Sequence, residues 1–229
     1  MDIVKCTKVK KTYRQNTVAV KALDGVSLSI KKGGFVAIAG PSGSGKTTLL
    51  NIIGGLDSAD SGRVVVDGNV LTDMTQSELA RMRLYKVGFV FQAYNLIPVL
   101  SAQENVEFVM LLQGVPTAER RERARSILDD VGLTGMYGRR PAELSGGQQQ
   151  RVAVARSIVS DPSIVLADEP TANLDSKTGA SLLEIMEEMN EKKQVTFVFS
   201  THDQMVMDFA HRLIYLRDGR IVEDQVRNR

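Results

Sequence analysis

The residues with the clearest chemistry stand at 40–47, Gly-Pro-Ser-Gly-Ser-Gly-Lys-Thr. They fill every position of a G-x-x-x-x-G-K-[ST] phosphate loop. Glycines in such a loop let backbone N–H groups approach a polyphosphate with no Cβ in the way. A helix beginning behind the loop turns the positive end of its dipole to the same anion. Lys46 is placed to reach the β- and γ-phosphates, and the Thr47 hydroxyl to ligate Mg²⁺. The binding set in this segment is Gly40, Pro41, Ser42, Gly43, Ser44, Gly45, Lys46, Thr47 and Thr48. Two acids, Asp168 and Glu169, follow the apolar run Ile164-Val165-Leu166-Ala167. A buried strand delivers such carboxylates at its C-terminal edge, where open α/β sheets place ligands. Asp168 is expected to hold Mg²⁺ through water, and Glu169 to polarise the water that attacks a γ-phosphate. Alone, an Asp-Glu pair after a strand is usually a helix cap; the phosphate loop upstream reverses that reading.

Holding these groups requires strands that end at them. Phe35 to Ala39 is a continuous apolar run, as expected of a strand buried on both faces, and 48–53 continues from the loop as a helix. Ser163 to Ala167 and Val195 to Ser200 read as further buried strands. Val26, Leu28 and Ile30 alternate with serines, the period of a half-buried strand. Gly62 and Gly68 bracket another, and Arg217-Asp218-Gly219 marks a hairpin between 213–216 and 220–222. The first third thus reads as short strands. Ala124, Ile127, Leu128 and Val131 form one apolar helix face. The charges beside them at 119–123 and 125 read as a solvated face. Leu182, Leu183, Met186 and Met189 are spaced to pack a second helix, the methionines as core filler. Little strand signal falls between Gln92 and Gly138, so that region reads as a helical insertion in an α/β core.

The 229 residues carry a net charge of +2, with 43% hydrophobic and 24% charged residues. That is globular composition with no single-sign field to attract nucleic acid. No apolar run approaches the roughly 18–20 residues that span a bilayer, the N-terminus has no signal-peptide pattern, and Cys6 is the single cysteine. The composition points to an intracellular α/β protein in a reducing compartment.

Leu144-Ser145-Gly146-Gly147-Gln148 lies between the phosphate loop and the acidic strand. With the other two motifs, and in that order, it resembles the signature of ATP-binding-cassette proteins. The resemblance runs from about Asp2 to Glu223. Tyr13 resembles the aromatic that stacks on adenine, Gln92 the Q-loop glutamine, Asn173-Leu174-Asp175 the D-loop, and His202 the switch histidine at the γ-phosphate. His211 has no such position and reads as an ordinary surface residue. The stretches Asn51–Asp57, Phe91–Pro98 and Leu166–Thr171 look like the LolD/MacB-type ATPases, although Ala172 stands where a glycine is common.

The resemblance implies a cassette fold over 1–229. A RecA-like phosphate-loop core with an antiparallel β subdomain would occupy about 1–91 and 160–229, and a helical subdomain about 92–159. It implies ATP and Mg²⁺ as ligands, with Glu169, His202, Lys46 and Gln92 in catalysis, and Thr47, Gln92 and Asp168 at the metal. Ser145, Gly146, Gly147 and Gln148 would contact the γ-phosphate bound by a second copy, giving an ATP-dependent head-to-tail homodimer. The function implied is the ATPase of a transporter that drives a separate integral membrane permease, LolC/LolE- or MacB-like, in export or lipoprotein release. Its place would be the cytoplasmic face of the inner membrane, peripherally bound. The alternative is a mechanotransmitting cassette, like the cell-division member, that moves no solute. The stretch from Gln92 to Glu104, with Tyr94, Leu96, Ile97, Pro98, Val99 and Leu100, is the expected docking cleft, and each of these residues reads equally as local packing of the helical subdomain.

Overall fold

Strands that carry apolar residues on both faces belong in the middle of a sheet covered on both sides, and the computed structural model, which describes residues 1–15 and 18–227, places them there. In chain order the elements are β1 (Asp2–Gln15), β2 (Val18–Lys31), β3 (Phe35–Ala39), α1 (Lys46–Ile53), β4 (Ser61–Val66), β5 (Asn69–Val70), α2 (Gln76–Lys86), β6 (Val87–Val90), α3 (Ala102–Leu112), α4 (Thr117–Asp130), α5 (Gly146–Ile158), β7 (Ile164–Asp168), α6 (Ser176–Lys193), β8 (Thr196–Thr201), α7 (Gln204–Phe209), β9 (Arg212–Arg217) and β10 (Arg220–Val226).

They build two sheets. One has the order β10-β9-β3-β8-β7-β6, parallel from β9 to β6 with β10 antiparallel at the edge. The other is antiparallel, β2-β1-β4-β5. Alternate residues of the central strands feed two cores. Phe35, Ala37, Phe197, Phe199, Val165 and Ala167 join the apolar faces of α3 to α7. Val36, Ile38, Val198, Ile164 and Leu166 join α1, α2 and the antiparallel sheet. Among the described residues no helix is long and apolar enough to cross a membrane.

Helix starts follow local chemistry. Thr75 with Glu78, Ser101 with Glu104, and Ser145 with Gln148 each form a reciprocal capping box. Asp175 caps α6 by accepting from the Thr178 amide.

Three expectations change, and one open reading is divided. The first third is not a set of short strands: β1 and β2 are a fourteen-residue antiparallel pair. Irregularities in register at Asp2/Val4 and Cys6/Val9, each with an extra residue in β1, break the two-residue period, which hides β1 in the sequence. The charged face of α4 is not wholly solvated. Arg120 is largely buried, donating to the Val115 carbonyl at 2.7 Å with Nε 3.7 Å from Glu107. His211 is not an ordinary surface residue: it is half-buried, 3.1 Å from Glu187 Oε1, with its ring centroid 5.5 Å from that of Phe35. The stretch after Gln92 is only partly surface. Buried Asn105 ties the Ile97 amide and the carbonyls of Ile97, Leu100 and Ser101, and Leu96 packs on the core, while Val99 is 70% exposed.

Candidate functional site

The phosphate loop joins the C-terminal end of β3 to the N-terminus of α1, so its amides collect at one sheet edge. Gly40 and Gly45 sit at φ 153° and 102°. A Cβ at Gly40 would meet the Leu216 carbonyl, and one at Gly45 the Ala22 carbonyl. Backbone here packs on backbone, and only glycine fits. Lys46 is buried, and its Nζ donates to the Gly40 and Pro41 carbonyls at 2.8 and 3.0 Å. The cation is thus held inside the loop it would serve. Ser44 Oγ is buried without a hydrogen-bond partner, and α1 has no side-chain cap and no acid in its first turn. Unspent donors and an uncompensated helix dipole fit an anionic ligand.

A cavity of about 370 Å³ opens over this loop. Ser42, Gly43, Gly45, Lys46, Thr47 and Thr48 line one side, Tyr13, Val20 and Ala22 another, and Gln92, Glu169, Ala172 and His202 close it. Gly40, Pro41 and Ser44 form the loop behind that wall. Parallel strands β3 and β7, with β8 between them, end nearby, and the Thr47 hydroxyl donates to Asp168 Oδ1 at 3.1 Å. A hydroxyl, a carboxylate and the Gln92 amide are hard oxygen donors, the set Mg²⁺ takes beside phosphates.

Glu169 follows β7 at φ 46°, a left-handed conformation that is costly for a side chain with a Cβ. It is held by its amide on the Ser200 carbonyl at 2.9 Å and by its carboxylate, 2.7 Å from His202 Nδ1 and 3.3 Å from Thr201 Oγ1. A carboxylate so fixed, with a histidine on one oxygen, can orient a water and take its proton.

Ser145, Gly146, Gly147 and Gln148 do not line this cavity. They form the first turn of α5, where a Cβ at Gly147 would run into Thr178. Links from that helix toward the cavity run through Gln150 and Arg156, which the sequence did not flag, and beside them through Asn173 of the D-loop-like stretch. Buried Gln150 donates to the Pro170 carbonyl at 2.7 Å and the Phe91 carbonyl at 3.4 Å. Asn173 donates to the Gln92 carbonyl at 2.9 Å. Arg156 donates to the carbonyls of Tyr94 and Asn95, both at positive φ. Apart from the Pro170 carbonyl, 20 positions from Gln150, these contacts join residues 59 to 81 positions apart and leave no local pattern. Arg156→Ala is expected to cost about 1.5–3 kcal/mol of stability, the worth of hydrogen bonds to a charged donor, read by chemical denaturation. Arg156→Lys recovers little, because an ammonium lacks the planar fork that reaches both carbonyls.

Residues 23–172 match the ABC transporter family model. An ABC transporter ATP-binding protein of Thermotoga maritima is 47% identical over 219 residues, 96% of this chain and 93% of that one. The macrolide export ATP-binding/permease protein MacB of Brucella melitensis is 45% identical over 97% of this chain, which spans 34% of MacB. The dimeric structure of the cassette MJ0796 in a post-hydrolysis state with ADP and Pi superposes with a TM-score of 0.91, at 44% identity and covering 99% of both chains. Its organism is Methanocaldococcus jannaschii. With an ABC family match over more than half its length and relatives aligned nearly end to end, this chain belongs to the ABC transporter family, as one of its ATP-binding proteins, an ABC ATPase.

Proposed function

We propose that two copies of this chain close head to tail on two ATP molecules and that the closing stroke drives a separate membrane permease of the export or lipoprotein-release type. The carrying observation is the division of the site. One chain gathers the phosphate loop, Glu169 and His202 in one cavity and leaves Ser145–Gln148 outside it. A second copy related by a two-fold axis supplies the missing wall isologously. Lys46 and the loop amides hold the polyphosphate. Thr47, Asp168 and Gln92 would hold Mg²⁺, which would neutralise phosphate charge. Glu169 orients the attacking water and takes its proton, and His202 fixes that carboxylate. Tyr13 supplies the surface on which the base stacks.

The permease is placed on the groove beside the loop that follows Gln92. It has a volume of about 490 Å³, with Leu56, Phe89, Phe91, Val109 and Leu112 on its walls. Leu56 and Leu112 are about half exposed on it. MacB, an ATP-binding/permease protein that continues well beyond the cassette, supports a permease helix as the occupant. Leu112→Asp tests the assignment, since Leu112 is 58% exposed and the fold tolerates a charge there. The purified variant should keep ATP turnover and ATP-dependent dimerisation by light scattering, but lose co-sedimentation with membranes that carry the permease. Retained membrane attachment, or lost turnover in the isolated chain, overturns the docking site.

A further inference from the structure

We propose that Lys11 and Asp57 are positioning residues for the nucleotide base, setting the pose of the Tyr13 ring relative to the phosphate loop. The inference rests on Tyr13 as the base platform. Tyr13 stands near the end of β1, exposed, where a ring on two free torsions would have to be ordered by each arriving nucleotide. It is instead tied at its tip. Its hydroxyl donates to Asp57 Oδ2 at 2.6 Å. Lys11, two residues back on the same strand face, donates to Asp57 Oδ1 at 2.7 Å and to the Ser58 carbonyl at 2.8 Å. Its ammonium also sits 5.1 Å from the Tyr13 ring centroid. A cation is attracted to an aromatic face at that range. The ring is therefore held by its rim and by one face, and its remaining surface lines the cavity beside Thr48.

Asp57 is in turn fixed to the helix behind the phosphates. The amides of Leu56 and Asp57 both donate to the Asn51 carbonyl, at 2.8 and 3.2 Å, and Asn51 belongs to α1. A second staple ties the same segment to the strand: Thr12 N–H to Asp60 Oδ2 at 2.6 Å, and Asp60 N–H to the Lys10 carbonyl at 2.9 Å. The base platform lies on the antiparallel sheet and the phosphate loop on the parallel one. This chain of contacts sets their separation, so one nucleotide meets both without rearranging either. Burial pushes the Asp57 carboxyl up, but the bonds from Lys11, Tyr13 and the Ser58 amide outweigh it and hold it below the usual carboxylate range. The carboxylate is thus available as an acceptor to both partners.

The test reads ATP and inorganic tripolyphosphate separately. Asp57→Ala is expected to raise KM for ATP about tenfold, the low end of the worth of one stacked base, with kcat within about twofold. Tripolyphosphate, which has no base, should inhibit as strongly as before. Asp57→Asn keeps an oxygen for the Tyr13 hydroxyl and recovers most of the loss. In a Tyr13→Phe background, Asp57→Ala should add little to KM, because its main partner on the ring is already gone. Equal weakening of ATP and tripolyphosphate overturns the proposal, since it marks a general disturbance of α1. So does an unchanged KM in Asp57→Ala when Tyr13→Ala raises it. An unchanged KM in Tyr13→Ala overturns the base platform itself, and the positioning pair with it.

Discussion

Glu169→Gln is expected to lower steady-state ATP turnover by about 10²- to 10⁴-fold, the usual share of a positioned general base, while ATP stays bound. The substitution changes charge and basicity and little else. An amide of the same shape still meets His202 Nδ1 and Thr201 Oγ1, and the backbone at 169 keeps its tie to the Ser200 carbonyl. The phosphate loop and Lys46 are untouched, so the polyphosphate contacts survive. Each factor of ten is about 1.4 kcal/mol of transition-state stabilisation. The expected loss thus amounts to roughly 3–5.5 kcal/mol. Nucleotide-binding and turnover assays on the same preparation decide it. Turnover near the unmodified level would remove Glu169 from the chemistry. Weak ATP binding would instead assign the carboxylate to holding the nucleotide.

The second large effect is expected at Ser145. Ser145 is exposed at the start of α5; its hydroxyl accepts from the Gln148 amide at 3.3 Å and its own N–H donates to Gln148 Oε1 at 2.9 Å. Arginine there loses the cap, at about 1 kcal/mol, which the fold absorbs. In the closed dimer the consequence is different. The first turn of α5 would abut the other copy's γ-phosphate, and a long cation in that gap blocks closure. Ser145→Arg should therefore stay monomeric with ATP and lose about 10²-fold or more in turnover, comparable to removing donors that stabilise developing charge. Mixing supplies the sharper measurement. Ser145→Arg keeps an intact phosphate loop, and Lys46→Ala keeps an intact signature. Each should be nearly inactive alone, and a mixture should regain turnover through the one composite site that has both. A mixture as inactive as its parts, or an ATP-dependent dimer of Ser145→Arg, would rule out the head-to-tail sandwich.

The parts of the fold legible in sequence are those with local cause. The phosphate loop, the buried strands at 35–39 and 164–168, and the apolar face of α4 each follow from a run or a period within a few residues. The family resemblance then carried the fold class, which the superposition with MJ0796 shows. The structure brings Tyr13, Gln92, Glu169 and His202 to the phosphate loop and leaves Ser145 outside. What was not legible depends on irregularity or on distance in the chain. The bulged register of β1 erases its alternation, so a fourteen-residue strand gave no signal. Arg120 sits among exposed charges, and only the approach of α3 through Glu107 makes it a buried ion pair. Gln150, Arg156 and Asp57 are ordinary polar residues by type, and their partners lie 44 to 62 positions away, apart from the Pro170 carbonyl, 20 positions from Gln150.

The left-handed backbone of Glu169 has a consequence for anyone evolving this protein in the laboratory. Glycine at 169 would relieve a conformation that costs a Cβ-bearing residue about 1–2 kcal/mol. A library sorted for heat resistance alone is therefore drawn toward losing the carboxylate, and its best survivors would be sturdy and inert. A library sorted for turnover keeps the acid and tolerates the weaker fold. The two screens pull this one codon in opposite directions. Stabilised versions of the protein that still work must gather their gains elsewhere, on positions such as the exposed face of α4, and a consensus sequence built from active members would carry the strain forward intact.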